Sequence, residues 1–255
     1  MNAGVRRCFG AGATAFLLAA GCGGESGADP PVIEVWVSAA ASIGEAFNEL
    51  ADAFEAATPG IDVVINRGSS SLLREQILEG APIDVFAPAG TSVIETLQVA
   101  GEIAGEVELL GHNVLQIAIP TGNPAGVASL DDFARADLLI GLCAPGVPCG
   151  DYGRLVLAQA GIAEMIDSYE PNARALLTKI EEGELDAGIV YRTDVIFAGG
   201  KVGGLEIGEE HNVVVAYPIM TLAGSRHPDV AAAFVDFALS TEGWAILRRH
   251  GFSAP

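Results

Sequence analysis

The sequence predicts an α/β protein with mainly parallel sheets, and two observations carry that prediction. Short apolar runs rich in β-branched residues alternate along the chain with stretches whose apolar residues recur at helical spacing. At 255 residues, half of them hydrophobic and 18% charged, the chain also has enough apolar material for a large core, as one domain or two lobes. The first strand spans 32–37. A helix over 43–57 follows, with Phe47, Leu50, Phe54 and Ala57 on one face. Next come a strand at 61–65, a helix at 70–78 carried by Leu73, Gln76 and Ile77 and stopped by Gly80 and Pro82, and a strand at 84–87. Further strands are expected at 115–119, 138–142 and 187–191, with helices at 152–160 and 172–182 between the last of them. Trp36 and Trp244 lie on apolar patterns and read as core. No internal repeat stands out.

The formal charge of −20 excludes a nucleic-acid binder, which needs a cationic footprint. It also raises a difficulty for any anion ligand, because the global field repels it. His112, His211, His227 and His250 are scattered without metal-ligand spacing. The acidic surplus is spread out and reads as a solvated surface.

Residues 1–21 read as an export signal: Arg6 and Arg7 precede an uncharged run too short to span a bilayer. The ending LLAAGC resembles a bacterial lipobox, in which Cys22 is diacylated and becomes the first mature residue. The competing reading is a cleaved soluble signal with an ordinary Cys22. Both the general secretory and the twin-arginine routes fit RRCF. Residues 22–31, rich in Gly, Ser, Asp and Pro, form a flexible tether. The product is a membrane lipoprotein facing the periplasm or another extracytoplasmic space. In that oxidising compartment Cys143 and Cys149 of CAPGVPC are expected to pair as a disulfide.

Ligands in such folds bind beyond the carboxyl ends of strands, where helix N-termini converge. Four junctions qualify: VSAAAS ending at Ser42, INRGSSS at Ser69 to Ser71, CAPGVPCGDY around Cys149, and YEPNAR around Ala173. All carry small or hydroxyl side chains, and Arg67 is the one cation ahead of a helix start. Three consecutive serines exceed what a helix cap needs. They fit a cap, and they fit an anion site at a helix N-terminus. A serine hydrolase is the alternative from another class. It is disfavoured, since GSSSL is not the G-x-S-x-G elbow and no Ser-x-x-Lys includes Ser42 or Ser69 to Ser71. The chain therefore reads as a binder and not an enzyme.

Six stretches in order, VWVSAAASIGEAFNELADAF, GSSSLLREQILEGAPIDVFAPAG, LLGHNVLQIAIP, VPCGDYGRLVL, GELDAGIVYRTD and GWAILRRHGF, resemble the periplasmic molybdate-binding proteins of ABC transporters. The resemblance covers about 33–252. It implies a two-lobed, type II periplasmic-binding-protein fold, each lobe a mostly parallel sheet flanked by helices, with the ligand cleft between lobes. The chain would cross between lobes near His112 and Pro218, giving lobe I as 32–112 plus 219–255 and lobe II as 113–218. The implied oxyanion contacts are the hydroxyl and amide of Ser42, the hydroxyl of Ser70, the backbone N–H groups of Cys149 and Ala173, and the phenol of Tyr191. Molybdenum would thus be met only as molybdate, or tungsten as tungstate, with no cofactor. The implied partners are a membrane permease and its ATPase, for a monomeric binding protein. Two positions depart from the family pattern. Cys149 stands where alanine is common, and Asp151 places a carboxylate near a helix start. Inside the cleft Asp151 would offer an acceptor and favour a protonated oxyanion such as phosphate; its position favours solvent instead. Sulfate or phosphate is the alternative ligand. An iron-binding relative would be expected to use paired tyrosines, and Tyr191 has no adjacent one.

Overall fold

The computed structural model describes residues 32–255; the predicted signal segment 1–21, the lipidation residue Cys22 and the tether 22–31 lie outside the described residues. β1 (Ile33–Ala40) lies between β2 (Ile61–Gly68) and β3 (Val85–Ala87) and runs parallel to both. A 3-10 turn (Ala41–Ile43) and α1 (Gly44–Ala57) connect β1 to β2, and α2 (Ser70–Leu78) connects β2 to β3. These are the helical crossovers that parallel neighbours require. After α3 (Ile94–Ala100), the 18-residue β4 (Ile103–Pro120) runs towards a second trio of strands.

In that trio β5 (Ile140–Cys143) lies between β6 (Ser168–Glu170) and β7 (Ala187–Tyr191), parallel to both. Its crossovers are α4 (Pro148–Gln159) and α5 (Ala173–Glu181). Then follow α6 (Arg192–Phe197), β8 (Val202–Glu206), β9 (Val214–Leu222), α7 (Pro228–Leu239) and α8 (Thr241–Arg249). The strand order is β2-β1-β3-β9-β4-β7-β5-β6, with β8 paired to β4. Every antiparallel pairing involves β4 or β9. These two long strands pair with each other and join the trios, β9 to β3 and β4 to β7. The sheet is therefore parallel within each βα trio and antiparallel where β4 and β9 pass between them.

The core follows the sequence pattern with three corrections. Phe47, Leu50 and Phe54 of α1 are buried, and Phe54 meets Phe234 of α7 edge-on at 5.4 Å. Ala57, assigned to the same face, is exposed, because α1 ends there. Trp36 is 37% exposed: the first half of β1 alternates, with Val35 and Val37 inward and Glu34 and Trp36 outward. Trp244 is half-buried, packed on the edge of the core. The helix expected from Tyr152 starts four residues earlier, since Pro148 fits a first turn that needs no N–H from it.

Candidate functional site

The three serines of SSS divide their work. Ser69 is the N-cap of α2, its hydroxyl accepting from the Leu72 N–H at 3.3 Å. Ser71 points across to the loop before α4 and donates to the Gly146 carbonyl. Ser70, between them, is buried and faces inward, where its oxygen accepts the Ala89 N–H at 2.9 Å. Its hydroxyl hydrogen remains available to donate. The cap expected from the sequence is Ser69, and Ser70 is the serine that faces the cavity.

Ser70 lines a small cavity of about 20 Å³ together with Ser42, Cys149, Ala173 and Tyr191. All five sequence-predicted contact residues thus meet at one place, and all five are buried. Ser42 sits in the 3-10 turn ahead of α1, Ser70 opens α2, Cys149 is second in α4, and Ala173 opens α5. In each first turn the amides have no acceptor within their own helix. Each longer helix also brings roughly half a positive charge to its N-terminus. Among the described residues no lysine, arginine or histidine lines the cavity. Arg67 instead pairs with Glu45 at 3.0 Å, in a neighbouring cavity that also holds Arg174.

Local chemistry fixes each wall. Asn172 caps α5 by accepting the Ala175 N–H at 2.9 Å, so the Ala173 amide is left at the open end. Cys143, at the end of β5, forms a disulfide with Cys149 in the first turn of α4, with Cα atoms 5.7 Å apart. Gly150 permits this close return: a Cβ there would come within 2.3 Å of the carbonyl oxygens of both Cys143 and Ala144. Asp151, fourth in α4, is exposed, and its carboxylate accepts the Gly146 N–H at 2.9 Å. It turns away from the cavity and supplies no acceptor there. The disulfide closes a short loop, so its loss is expected to cost about 2 kcal/mol of stability from chain entropy. Urea unfolding of a Cys143→Ala/Cys149→Ala variant measures this, and an unchanged midpoint would show that the brace contributes nothing.

Tyr191 ends β7, its ring edge-on to Tyr217 at 5.8 Å between centroids. Its phenol oxygen is buried without a hydrogen-bond partner, and burial pushes its pKa well above the usual tyrosine range. A buried hydroxyl that is neutral and unpaired is a donor awaiting an acceptor. On the far side of Ser42, the Ser42 and Tyr217 hydroxyls are 2.7 Å apart, and the Asn113 amide reaches both Tyr217 at 3.5 Å and Thr193 at 2.9 Å. No local pattern in the sequence marks these three supporting residues. Their only signal is position, Asn113 and Tyr217 being polar residues next to the expected crossings at His112 and Pro218. The walls together form a small cage rich in hydrogen-bond donors, with no carboxylate among its lining residues, suited to a compact, fully deprotonated anion.

Comparison with known proteins shows the family and the fold. Residues 35–253 match the family model described as bacterial extracellular solute-binding protein. The molybdate-binding protein ModA of Mycobacterium tuberculosis is 33% identical over 253 residues, covering 96% of this chain and 97% of the relative. Among solved structures, the periplasmic molybdate-binding protein of Azotobacter vinelandii superposes with a TM-score of 0.77 at 22% identity, over 87% of this chain and 99% of that one. The sulfate-binding protein SubI of Mycobacterium tuberculosis superposes with a TM-score of 0.78 at 18% identity, over 87% of each chain. The fold alone therefore does not choose between the two oxyanions.

Proposed function

Because this chain belongs to the bacterial extracellular solute-binding protein family and has its two-lobed α/β fold, we propose that it captures molybdate, and with it tungstate, and delivers the anion to an ABC permease and its ATPase. The observation that carries the proposal is the donor-rich cage without a carboxylate. Molybdate at neutral pH is a dianion without a proton, so it asks for donors and offers none. The Ser42 and Ser70 hydroxyls, the first-turn amides of Cys149 and Ala173, and the unpaired phenol of Tyr191 supply them. Charge-assisted bonds of this kind are stronger than neutral ones. They act in a buried site where screening is weak, which offsets the repulsion from a chain of formal charge −20.

In this reading lobe I comprises 32–112 plus 219–255 and lobe II 113–218, with β4 and β9 as the crossing strands. Pro218 pairs with Leu109 and His112 with Ala216, which puts the two crossings side by side and supports a common hinge. Ligand would shift the lobes from an open to a closed population, and closure is the state that the permease reads. The chain would act as a monomer tethered through lipid on Cys22. Mass spectrometry of the membrane fraction, looking for a diacylglyceryl group on Cys22, tests the anchor.

Titration calorimetry on ligand-free protein from residue 23 onward, with molybdate, tungstate, sulfate and phosphate in turn, tests the ligand. Tight binding of the first two with little response to the others is the expected result. Binding of sulfate or phosphate instead would overturn the substrate and leave the fold standing.

A further inference from the structure

We propose that Tyr217 is a positioning residue: held by Asn113, it turns the Ser42 hydroxyl into an obligatory donor and so restricts the cavity to oxyanions that carry no proton. The proposal rests on the oxyanion reading above and deepens it. Ser42, Asn113, Thr193 and Tyr217 are all buried, and of these only Ser42 lines the cavity, so the hydrogens of the other three need acceptors among their buried neighbours. Two backbone groups fix the directions at Asn113 and at Thr193. The Val114 N–H donates to the Asn113 side-chain oxygen at 2.9 Å, which leaves the Asn113 amide hydrogens for other partners. The Ser42 carbonyl can only accept, so the Thr193 hydroxyl donates to it at 3.0 Å. Thr193 then receives its own bond from Asn113, at 2.9 Å.

The second Asn113 hydrogen points at the Tyr217 oxygen. Ser42, 2.7 Å away, is the neighbour placed to accept the phenol hydrogen of Tyr217, because the Ser42 hydrogen has the cavity to donate into and the Tyr217 hydrogen does not. That bond occupies a lone pair of the Ser42 oxygen and leaves its hydrogen to point into the cavity. Ser70 is set the same way by the Ala89 amide. Both serines therefore present hydrogens to the ligand. Tyr217 does not itself line the cavity. A protonated oxyanion such as monohydrogen phosphate would bring one hydrogen too many and find no carboxylate to accept it, which is costly in a buried site.

The test compares the unaltered chain with Tyr217→Phe, Ser42→Ala and the double variant, each titrated with molybdate and with phosphate from pH 6 to 8. Tyr217→Phe keeps the ring that packs on Tyr191 and Phe252, so the fold is expected to survive. With the Ser42 lone pair released, molybdate affinity is expected to fall about fivefold to tenfold, as for one lost ordering hydrogen bond. Phosphate affinity is expected to hold or rise, so the ratio between the two narrows. In the Ser42→Ala background the Tyr217 change should add no further loss. Asn113→Ala is the second variant and should shift the ratio the same way, less strongly. An equal loss with and without Ser42, or an unchanged ratio, would overturn the relay and leave the oxyanion site intact. Silence of the unaltered chain towards every oxyanion would instead overturn the reading on which the relay rests.

Discussion

Replacing Ser42 with alanine is expected to weaken molybdate binding by about 1–3 kcal/mol, roughly fivefold to 150-fold in Kd, as for a lost bond to a charged group. Ser70→Ala should fall in the same range. The structure adds a second effect that separates these serines from ordinary caps. Each hydroxyl oxygen also holds a buried donor, the Ala89 N–H for Ser70 and, in the relay proposed above, the Tyr217 O–H for Ser42. Removing it strands that donor, so the ligand-free protein should also lose stability, by about 1–3 kcal/mol for each group left unsatisfied. Ser69→Ala is the internal control. Ser69 caps α2 from outside the cavity, so this variant should lose stability and keep its affinity. Calorimetry and thermal melts on the three variants distinguish the roles. Unchanged affinity in both Ser42→Ala and Ser70→Ala would remove these serines from the site.

The parts of the molecule built from βα units were legible in the sequence because local signals decide them. The helix over 70–78 and the strand over 187–191 have the bounds expected, the first set by a serine cap and Gly80, the second by a continuous apolar run. The long strands that join the two trios were not. β9 carries Pro218, which removes a ladder donor and normally argues against an inner strand; here it sits where the register with β4 slips. The first half of β4 was hidden by Gly105, Glu106 and Glu108, which break any apolar run. α7 and α8 were also not among the expected elements. Ser42, Ser70, Cys149 and Ala173 stand at strand-to-helix junctions, where local pattern and the family resemblance coincide, whereas the resemblance alone marks Tyr191. The support behind the cavity was not legible, because Ser42 and Tyr217 are 175 positions apart and no local pattern joins them.

Behind the cavity, Asp194 is expected to make the protein less stable as pH rises from about 4 to about 6. The side chain is wholly buried. One carboxylate oxygen accepts the Tyr191 N–H at 3.1 Å, and the other has no hydrogen-bond partner, the Arg174 guanidinium lying 3.8 Å away. Burial raises its pKa to about 6, outweighing the opposing pull of Arg174 and of the Tyr191 amide. In the unfolded chain the same group titrates near the ordinary aspartate value of about 3.9. Between those two values the folded state holds a proton that the unfolded state has released, so stability drops as the proton is lost. Two pKa units correspond to about 3 kcal/mol, all of it absent below pH 4 and fully felt above pH 6.

Asp194→Asn keeps an oxygen for the Tyr191 amide and carries no charge to desolvate. The variant should therefore match the unaltered protein near pH 4 and exceed it in stability by up to about 3 kcal/mol at pH 7. Arg174 keeps Glu45 at 4.0 Å and the Phe197 ring 3.5 Å below it, so the substitution does not isolate a buried cation. Urea unfolding of both proteins in steps from pH 4 to pH 7 gives the difference directly, with the titration of every other group cancelling. A difference that stays constant across the range would mean that Asp194 ionises inside the fold as easily as in water. A variant that grows relatively weaker with rising pH would mean that the pair with Arg174 more than offsets the cost of burial. The expected sign instead makes Asp194 a carboxylate that costs stability at neutral pH while fixing the backbone at Tyr191, whose phenol is the cage's unpaired donor.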